Sequence, residues 1–208
     1  MKFVVISDTH CQHHQLSLPA GDILIHAGDV SSRGHFTEIN DFLNWFQNQN
    51  YKYKIFIAGN HDFYFEKEKA EKIKKIIPPG IIYLNDSGIK IEGINVWGSP
   101  ISPWFFNWAF NRHRGEEISR HWKLIPTNTD ILITHGPPYG ILDKTTNLEK
   151  AGCEDLLKKI NEIKPKFHLY GHIHEAYGSY DNGITTFINA SVLDEKYILK
   201  NKALTFEM

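Results

Sequence analysis

The chain has little of what would place it in several common classes. Its 208 residues include only two cysteines, Cys11 and Cys153, too few for a disulfide framework and without the paired spacing of a thiolate zinc clip. Basic charge is not in excess: 23 Lys and Arg stand against 24 Asp and Glu, a formal net charge of −1. Duplex-binding grooves show as clustered Lys and Arg, and the lysine-rich stretch 67–75 is interleaved with Glu, as on a solvated helix face. A nucleic-acid polymer is therefore not the expected partner, and the composition disfavours a nuclease. No apolar run approaches the ~20 residues of a membrane span. The run at 3–6 meets Asp8 too early for the hydrophobic stretch of an export signal. These absences predict a cytoplasmic protein that begins near this N-terminus, keeps its thiols reduced and makes no membrane contact. The glycosylation pattern Asn189-Ala190-Ser191 is then a chance match. No repeat, low-complexity tract or linker interrupts the chain, so one domain over 1–208 is expected.

What is present is an alternation of short apolar runs and amphipathic stretches. Residues 4–6, 23–25 and 55–57 are β-branched or aromatic and are followed by Gly, Ser or Asp, which suits buried strands. Between the second and third, Ile39, Phe42, Leu43 and Phe46 recur at i, i+3, i+4, i+7 and predict a helix over 36–46. A second helix is expected over 66–77, with Glu68/Lys72 and Glu71/Lys75 pairs and a stop at Pro78-Pro79-Gly80. Strand, helix, strand, helix is the rhythm of an α/β layered fold. Further on, Glu92-Gly93 separates 88–91 from 94–97 as the turn of a hairpin, 99–126 reads as irregular and aromatic-rich, and 131–133 is another buried strand. A third helix ends near Pro165, and 185–188 and 203–206 read as closing strands.

The informative feature is where the apolar runs stop. Successive runs end on Asp8-Thr9-His10, on Gly28-Asp29, on Gly59-Asn60-His61-Asp62, on His135 and near Gly171-His172-Ile173-His174. Strand ends hold loops rigidly enough to converge on one point. Carboxylate, amide and imidazole donors without thiolate suit Mn, Fe, Zn, Ni or Mg better than a structural zinc site. Other polar residues have plainer readings. His26, inside an apolar run, is expected to be a hydrogen-bonded core histidine. His13, His14, His35, His113, His121 and His168 are surface or structural by default, and Cys11 lacks a base to activate its thiol. In 104–110 the aromatic residues are expected mainly in the core, with Trp104 or Trp108 reaching a substrate as an aromatic wall.

The five motifs, taken in order over 8–174, resemble those of the calcineurin-like metallophosphoesterase superfamily. Gly21 through Asp29, Trp108-Ala109-Phe110-Asn111 and Thr134-His135-Gly136-Pro137-Pro138 are similar to the branch holding small metallophosphoesterase-domain proteins and class III cyclic nucleotide phosphodiesterases. The resemblance implies an α/β sandwich of two mixed β-sheets flanked by α-helices. It implies two divalent metal ions, Mn being the natural choice for assay: Asp8, His10, Asp29 and His174 would hold the first, and Asp29, Asn60, His135 and His172 the second. A hydroxide shared by the two ions would attack phosphorus in line. His61 would be the acid or charge stabiliser, with the alternative that it only holds Asn60, and Asp62 would orient its imidazole. Arg33-Gly34 is similar to the phosphate-gripping Arg of the protein phosphatase branch, although Val30-Ser31-Ser32 does not complete that motif; Arg33, Trp104 and Trp108 are the candidate substrate contacts. The function this implies is hydrolysis of a small phosphodiester such as a cyclic nucleotide. Alternatives are a phosphomonoesterase or protein phosphatase, or a metal-binding scaffold with feeble turnover. A homodimer is compatible with any of these.

Overall fold

In the computed structural model, which describes residues 1–208, residues 2–83 together with the last strand build one sheet and residues 87–189 another. Strands β1 (Lys2–Ile6), β2 (Ile23–His26), β3 (Tyr53–Phe56) and β4 (Ile81–Tyr83) run parallel. Helices α1 (Phe36–Gln47), α2 (Phe63–Lys67) and α3 (Ala70–Ile76) lie in the connections between them. The hairpin of β5 (Ser87–Ile91) and β6 (Ile94–Ser99) opens the second sheet. A short pair, β7 (Ser102–Pro103) and β8 (Asn111–Arg112), and helix α4 (Glu116–Trp122) follow, and then β9 (Ile131–Thr134), α5 (Glu154–Ile163) and β10 (Phe167–Tyr170). The chain ends with β11 (Gly178–Asp181), β12 (Thr186–Asn189) and β13 (Leu204–Glu207). The strand orders are β13-β1-β2-β3-β4 and β11-β12-β10-β9-β6-β5. Each sheet is parallel inside, with antiparallel strands β13, β11 and β5 at the edges, so both are mixed, as the motif resemblance implies.

Period-two alternation explains how the sheets stack. Phe3, Val5, Ile23, Ile25 and Ile55 of the first sheet meet Val96, Ile131, Ile133, Leu169 and Ile188 of the second in one buried cluster. Their neighbours Val4, Ile6, Leu24 and Phe56 face outward and are covered by Ile39, Phe42, Leu43 and Phe46 of α1. Those four side chains are at most 1% exposed, and burial of each is worth about 1.5–3 kcal/mol. The helix entry is closed by Glu38, whose carboxylate accepts the His35 and Arg33 N–H groups at 3.0 and 3.1 Å, which satisfies donors a helix start leaves unpaired. On the other side of the sandwich, Leu132, Tyr170 and Phe187 lie under Ile118 and Trp122 of α4 and Leu156 and Ile160 of α5. No helix is long and apolar enough to cross a membrane.

Two expectations need correction. The helix expected over 66–77 is two helices, starting earlier and broken where Glu68 and Lys69 are extended (ψ 151° and 143°). Burial of Phe65 against Phe56 and Tyr83, and the reach of Glu66 to the Phe110 N–H at 2.9 Å, override the helical propensity of the lysine-rich stretch. The Glu68/Lys72 pair still forms across the break. Residues 99–126 are not wholly irregular, because α4 lies within them; it buries only Ile118 and Trp122, too few apolar positions to show a period. Of the closing strands, β12 joins the second sheet and β13 returns to β1.

The histidines set aside as structural divide by burial. His26 is fully buried and satisfied, taking the Gly28 N–H on Nδ1 and facing the Thr9 hydroxyl with Nε2 at 3.0 Å. His168 is equally buried, and burial pushes it down to about 3. Its Nε2 lies 2.8 Å from the Thr134 hydroxyl, which gives its own proton to the Gly136 carbonyl, so His168 is the donor and stays neutral. The folded chain thus excludes a proton that the unfolded chain accepts near pH 6.5. The stability due to neutral His168 is complete above that pH and is lost as pH falls toward 3. We expect the unfolding midpoint of His168→Gln, measured by circular dichroism from pH 6.5 to 5, to fall less steeply than that of the parent chain.

Candidate metal centre

The parallel strands of both sheets deliver their C-terminal ends to the same edge of the sandwich, where the loops after β1, β2, β3, β9 and β10 meet. Main-chain bonds tie these loops: Asp8 N–H to the Gly28 carbonyl at 2.9 Å, His10 N–H to the Asp29 carbonyl at 3.1 Å, and Gly171 N–H to the His135 carbonyl at 3.0 Å. The turns are tight enough to hold Asp8, His10, Asp29 and His172 in the left-handed region, with φ of 55°, 40°, 56° and 69°. Non-glycine residues adopt that region at a cost of about 1 kcal/mol or more each and do so mainly where surrounding contacts dictate it. Gly59 and Gly171, next to Asn60 and His172, are there for space. A Cβ on Gly59 would overlap the Asp29 carboxylate and main chain, and one on Gly171 would overlap Asp8 and Ser7.

All seven residues predicted as donors converge. Asp8, His10 and His174 form one group and Asp29, His135 and His172 another, each with ligating atoms mutually within 4.8 Å. His10 Nε2 is 3.6 Å from Asp29 Oδ2, which links the groups. Asn60 Oδ1 lies 2.8 Å from His135 Nε2, and His135 Nε2 is 3.3 Å from Asp29 Oδ2. All are buried except His172, which is half-buried. The carboxylates are partly compensated by main-chain and hydroxyl donors: Asp8 accepts the His172 N–H at 3.0 Å and the Ser191 O–H at 2.5 Å, and Asp29 accepts the His61 N–H at 2.8 Å.

Electrostatics and tautomers indicate that the cluster fits divalent cations. His135 and His174 donate Nδ1–H to the Ala27 and Asp194 carbonyls, each at 3.0 Å, which turns both Nε2 atoms inward, as ligating imidazoles require. His10 is buried with neither ring nitrogen hydrogen-bonded, a costly arrangement for a polar group with no other partner. Burial pushes the Asp8 and Asp29 carboxyls up, but His174 and His135 respectively outweigh it and hold both well below the usual carboxylate range. Burial likewise opposes protonation of His135 and His174, yet Asp29 and Asp8 lift each to about 9. Burial dominates at His10 and His172 and pushes them down to about 4 and 3. Two buried carboxylates thus draw positive charge into a pocket whose other donors favour neutrality. The donor set contains no thiolate, and burial raises the Cys11 thiol further from ionisation.

The remaining predicted residues fall in different places. His61 is half-buried beside the donors; its Nδ1 donates to the Ser32 carbonyl at 2.8 Å, and its ring stacks on Trp108 at 4.2 Å between centroids. Asp62 does not orient that imidazole, contrary to the expectation. Its carboxylate instead accepts the Val30, Ser31 and Gly59 N–H groups and the Ser31 hydroxyl, so it fastens the Asp29 loop to the Asn60 loop. It acts on His61 through the two loops it joins, one carrying Ser32 and the other His61 itself. Burial and the charge of Asp29 push Asp62 up to about 6. Two clefts open beside the stack of His61 on Trp108. One, of about 410 Å³, is lined by Asp29, Asn60, His172, His174, Trp104 and Lys150 among others. The second, of about 500 Å³, holds His10, Arg33, His35, Phe63 and Lys67. The aromatic segment is not mainly core, because only Ala109 and Phe110 are buried and 104–107 are exposed; main-chain anchoring of the loop, rather than burial, holds them.

Sequence reasoning missed Tyr197, which borders both clefts and packs on His10 and His174 at 4.9 and 5.1 Å. It sits beyond the last motif in a turn with no periodic signal. Ser191, Ser32 and Asp194 were also missed; the last two act through main-chain carbonyls, which any residue type supplies.

A family model described as calcineurin-like phosphoesterase matches residues 1–176. The human protein named metallophosphoesterase domain-containing protein 1 is 39% identical over 230 aligned positions, which cover 100% of this chain and 71% of that protein. A UPF0046 protein of Caenorhabditis elegans is 37% identical, covering 99% of this chain and 74% of its own length. Among solved structures, the phosphopantetheinyl hydrolase PptH of Mycobacterium tuberculosis has a TM-score of 0.62 at 15% identity, with 94% of this chain and 90% of that one covered. At that identity the likeness speaks to the fold.

The steric argument at the glycines has a direct check. Gly59→Ala has to displace the Asp29 loop, so we expect a stability loss of about 1–3 kcal/mol, as for overpacked sites, together with reduced bound metal by elemental analysis. Gly93→Ala, whose Cβ would meet nothing within 4 Å, is expected to leave bound metal unchanged.

Proposed function

The chain belongs to the calcineurin-like phosphoesterase family, and from that premise we propose that it hydrolyses small phosphodiesters, cyclic nucleotides being representative, at a two-metal centre. The observation that carries this reading is the convergence of seven buried or half-buried oxygen and nitrogen donors around Asp29. Asp8, His10, Asp29 and His174 would hold one ion, and Asp29, Asn60, His135 and His172 the other, with Asp29 shared. When bound, such ions lower the pKa of a water and neutralise phosphoryl charge.

The protein's own groups account for the rest of the reaction. The Ala27 and Asp194 carbonyls fix two imidazoles, so that the donors keep one geometry through turnover. His61, held through Nδ1 by Ser32 and through its face by Trp108, presents Nε2 to the cavity. In its protonated form it donates to the departing oxygen and cancels the charge that develops there, a contribution typically worth ~10²–10⁴ in rate. The paired clefts support a diester, because each can take one of the two groups esterified to phosphorus. Arg33, exposed in the second cleft, supplies a cation toward the group bound there, and Trp108 acts by supporting His61.

The direct assay uses chelator-treated protein reloaded in turn with Mn, Fe, Zn, Ni and Mg, with bis-nitrophenyl phosphate and nitrophenyl phosphate as substrates. Turnover of the diester well above the monoester is expected; the reverse would make the protein a monoesterase, and silence on both with metal bound would make it a scaffold. Asp29→Asn should abolish hydrolysis while the circular dichroism spectrum is retained, and wild-type rate in saturating Mn would overturn the assignment. For His61→Ala we expect kcat to fall ~10²–10⁴-fold with metal content intact. Unchanged kinetics would reduce His61 to a support for Asn60.

A further inference from the structure

Of the two tryptophans at the cavity, one is already committed. Trp108 spends its face on His61, at 4.2 Å and 26° between planes. Trp104 is different: it lines the cavity of the candidate centre and is 46% exposed. It is nevertheless immobilised on two sides. Its ring lies nearly parallel to that of His113, with centroids 5.5 Å apart and planes 18° apart, and its Nε1–H is given to Asn107 Oδ1 at 2.7 Å. The supporting loop is pinned by the Trp104 N–H to the Arg112 carbonyl and the Phe105 N–H to Asn111 Oδ1, both at 2.8 Å. It also holds Phe106 and Asn107 left-handed, at φ 48° and 56°. Residues held in that region cluster at active sites and ligand clamps.

We propose that Trp104 is a pre-formed stacking platform that selects phosphoesters carrying a flat aromatic group, a nucleobase foremost. The inference rests on the reading that the phosphoryl group binds at the seven donors. A cavity of about 410 Å³ is in the range of small-ligand sites and accommodates a group of nucleoside size beside the phosphate. Other residues of the cavity separate this occupant from an acyl chain: Thr145, Glu149 and Lys150 suit the polar edges of a base and a sugar and would leave a hydrocarbon chain against charged groups. A ring already held by His113 and Asn107 loses little freedom on stacking, so the contact appears in affinity rather than being lost to ordering.

The test is a titration of the metal-loaded protein with adenosine 5′-monophosphate, ribose 5-phosphate and adenosine, followed by the Trp104 indole N–H resonance, assigned with Trp104→Phe, and by calorimetry. Adenosine monophosphate should bind roughly 5- to 100-fold more tightly than ribose 5-phosphate, the range expected from one stacked base. That preference should vanish in Trp104→Ala and survive largely in Trp104→Phe, with ribose 5-phosphate affinity equal in all three proteins. Adenosine and its monophosphate should shift the Trp104 resonance, and ribose 5-phosphate should not. An unmoved resonance, or a base preference that persists in Trp104→Ala, overturns the platform. Failure of ribose 5-phosphate to bind at all, with adenosine still shifting Trp104, would instead remove the phosphate centre and leave the platform standing.

Discussion

Two carboxylates without solvent, Asp8 and Asp29, impose the constraint on which the rest of the molecule depends. An ionised carboxylate out of water costs several kcal/mol unless opposite charge and hydrogen bonds surround it. The chain meets part of this demand with the His61 and His172 N–H groups and the Ser191 hydroxyl, and the rest falls to imidazoles, two of which are lifted far toward the charged form. A pocket in this electrostatic condition is prepared for cations. Its geometry is held by loops that five strand ends bring to one edge.

That convergence is a property of the sandwich. Parallel strands in both sheets point their C-terminal ends the same way, so five loops arrive together, and Asp62 fastens two of them through four donors. The left-handed turns at Asp8, His10, Asp29 and His172 are strained individually, and the two packed core layers stabilise the arrangement that contains them. Function and stability oppose each other here: a chain free to relax these turns would fold more easily and would scatter the donors.

Around this centre the walls differ in rigidity and chemistry. The side of Trp104 is aromatic and braced by hydrogen bonds given to Asn107 and Asn111, while the cleft with Arg33 and Lys67 is open and cationic. Reaction chemistry belongs to the shared centre, and the choice of substrate belongs to the walls. The family relationship therefore speaks more strongly about the bond broken than about the molecule that carries it.

The site was far more legible in the sequence than the path of the chain around it. Donors had to be of specific residue types, and they followed apolar runs whose strand character β-branching made plain, so the seven ligand candidates, the hairpin at Glu92-Gly93 and the core role of His26 could all be read directly. The break after α2, the short helix α4 and the separate sheets of β12 and β13 could not, because each depends on contacts distant in sequence. The same holds for Asp62: its type was legible, and its partners were not, since three are main-chain N–H groups brought near by folding. Residue identity alone determined which atoms can bind a cation and where buried strands end. Only the tertiary structure decided that Trp108 supports His61, that Trp104 stays exposed and that Tyr197 borders the clefts, because orientation and exposure arise from the packing of distant segments.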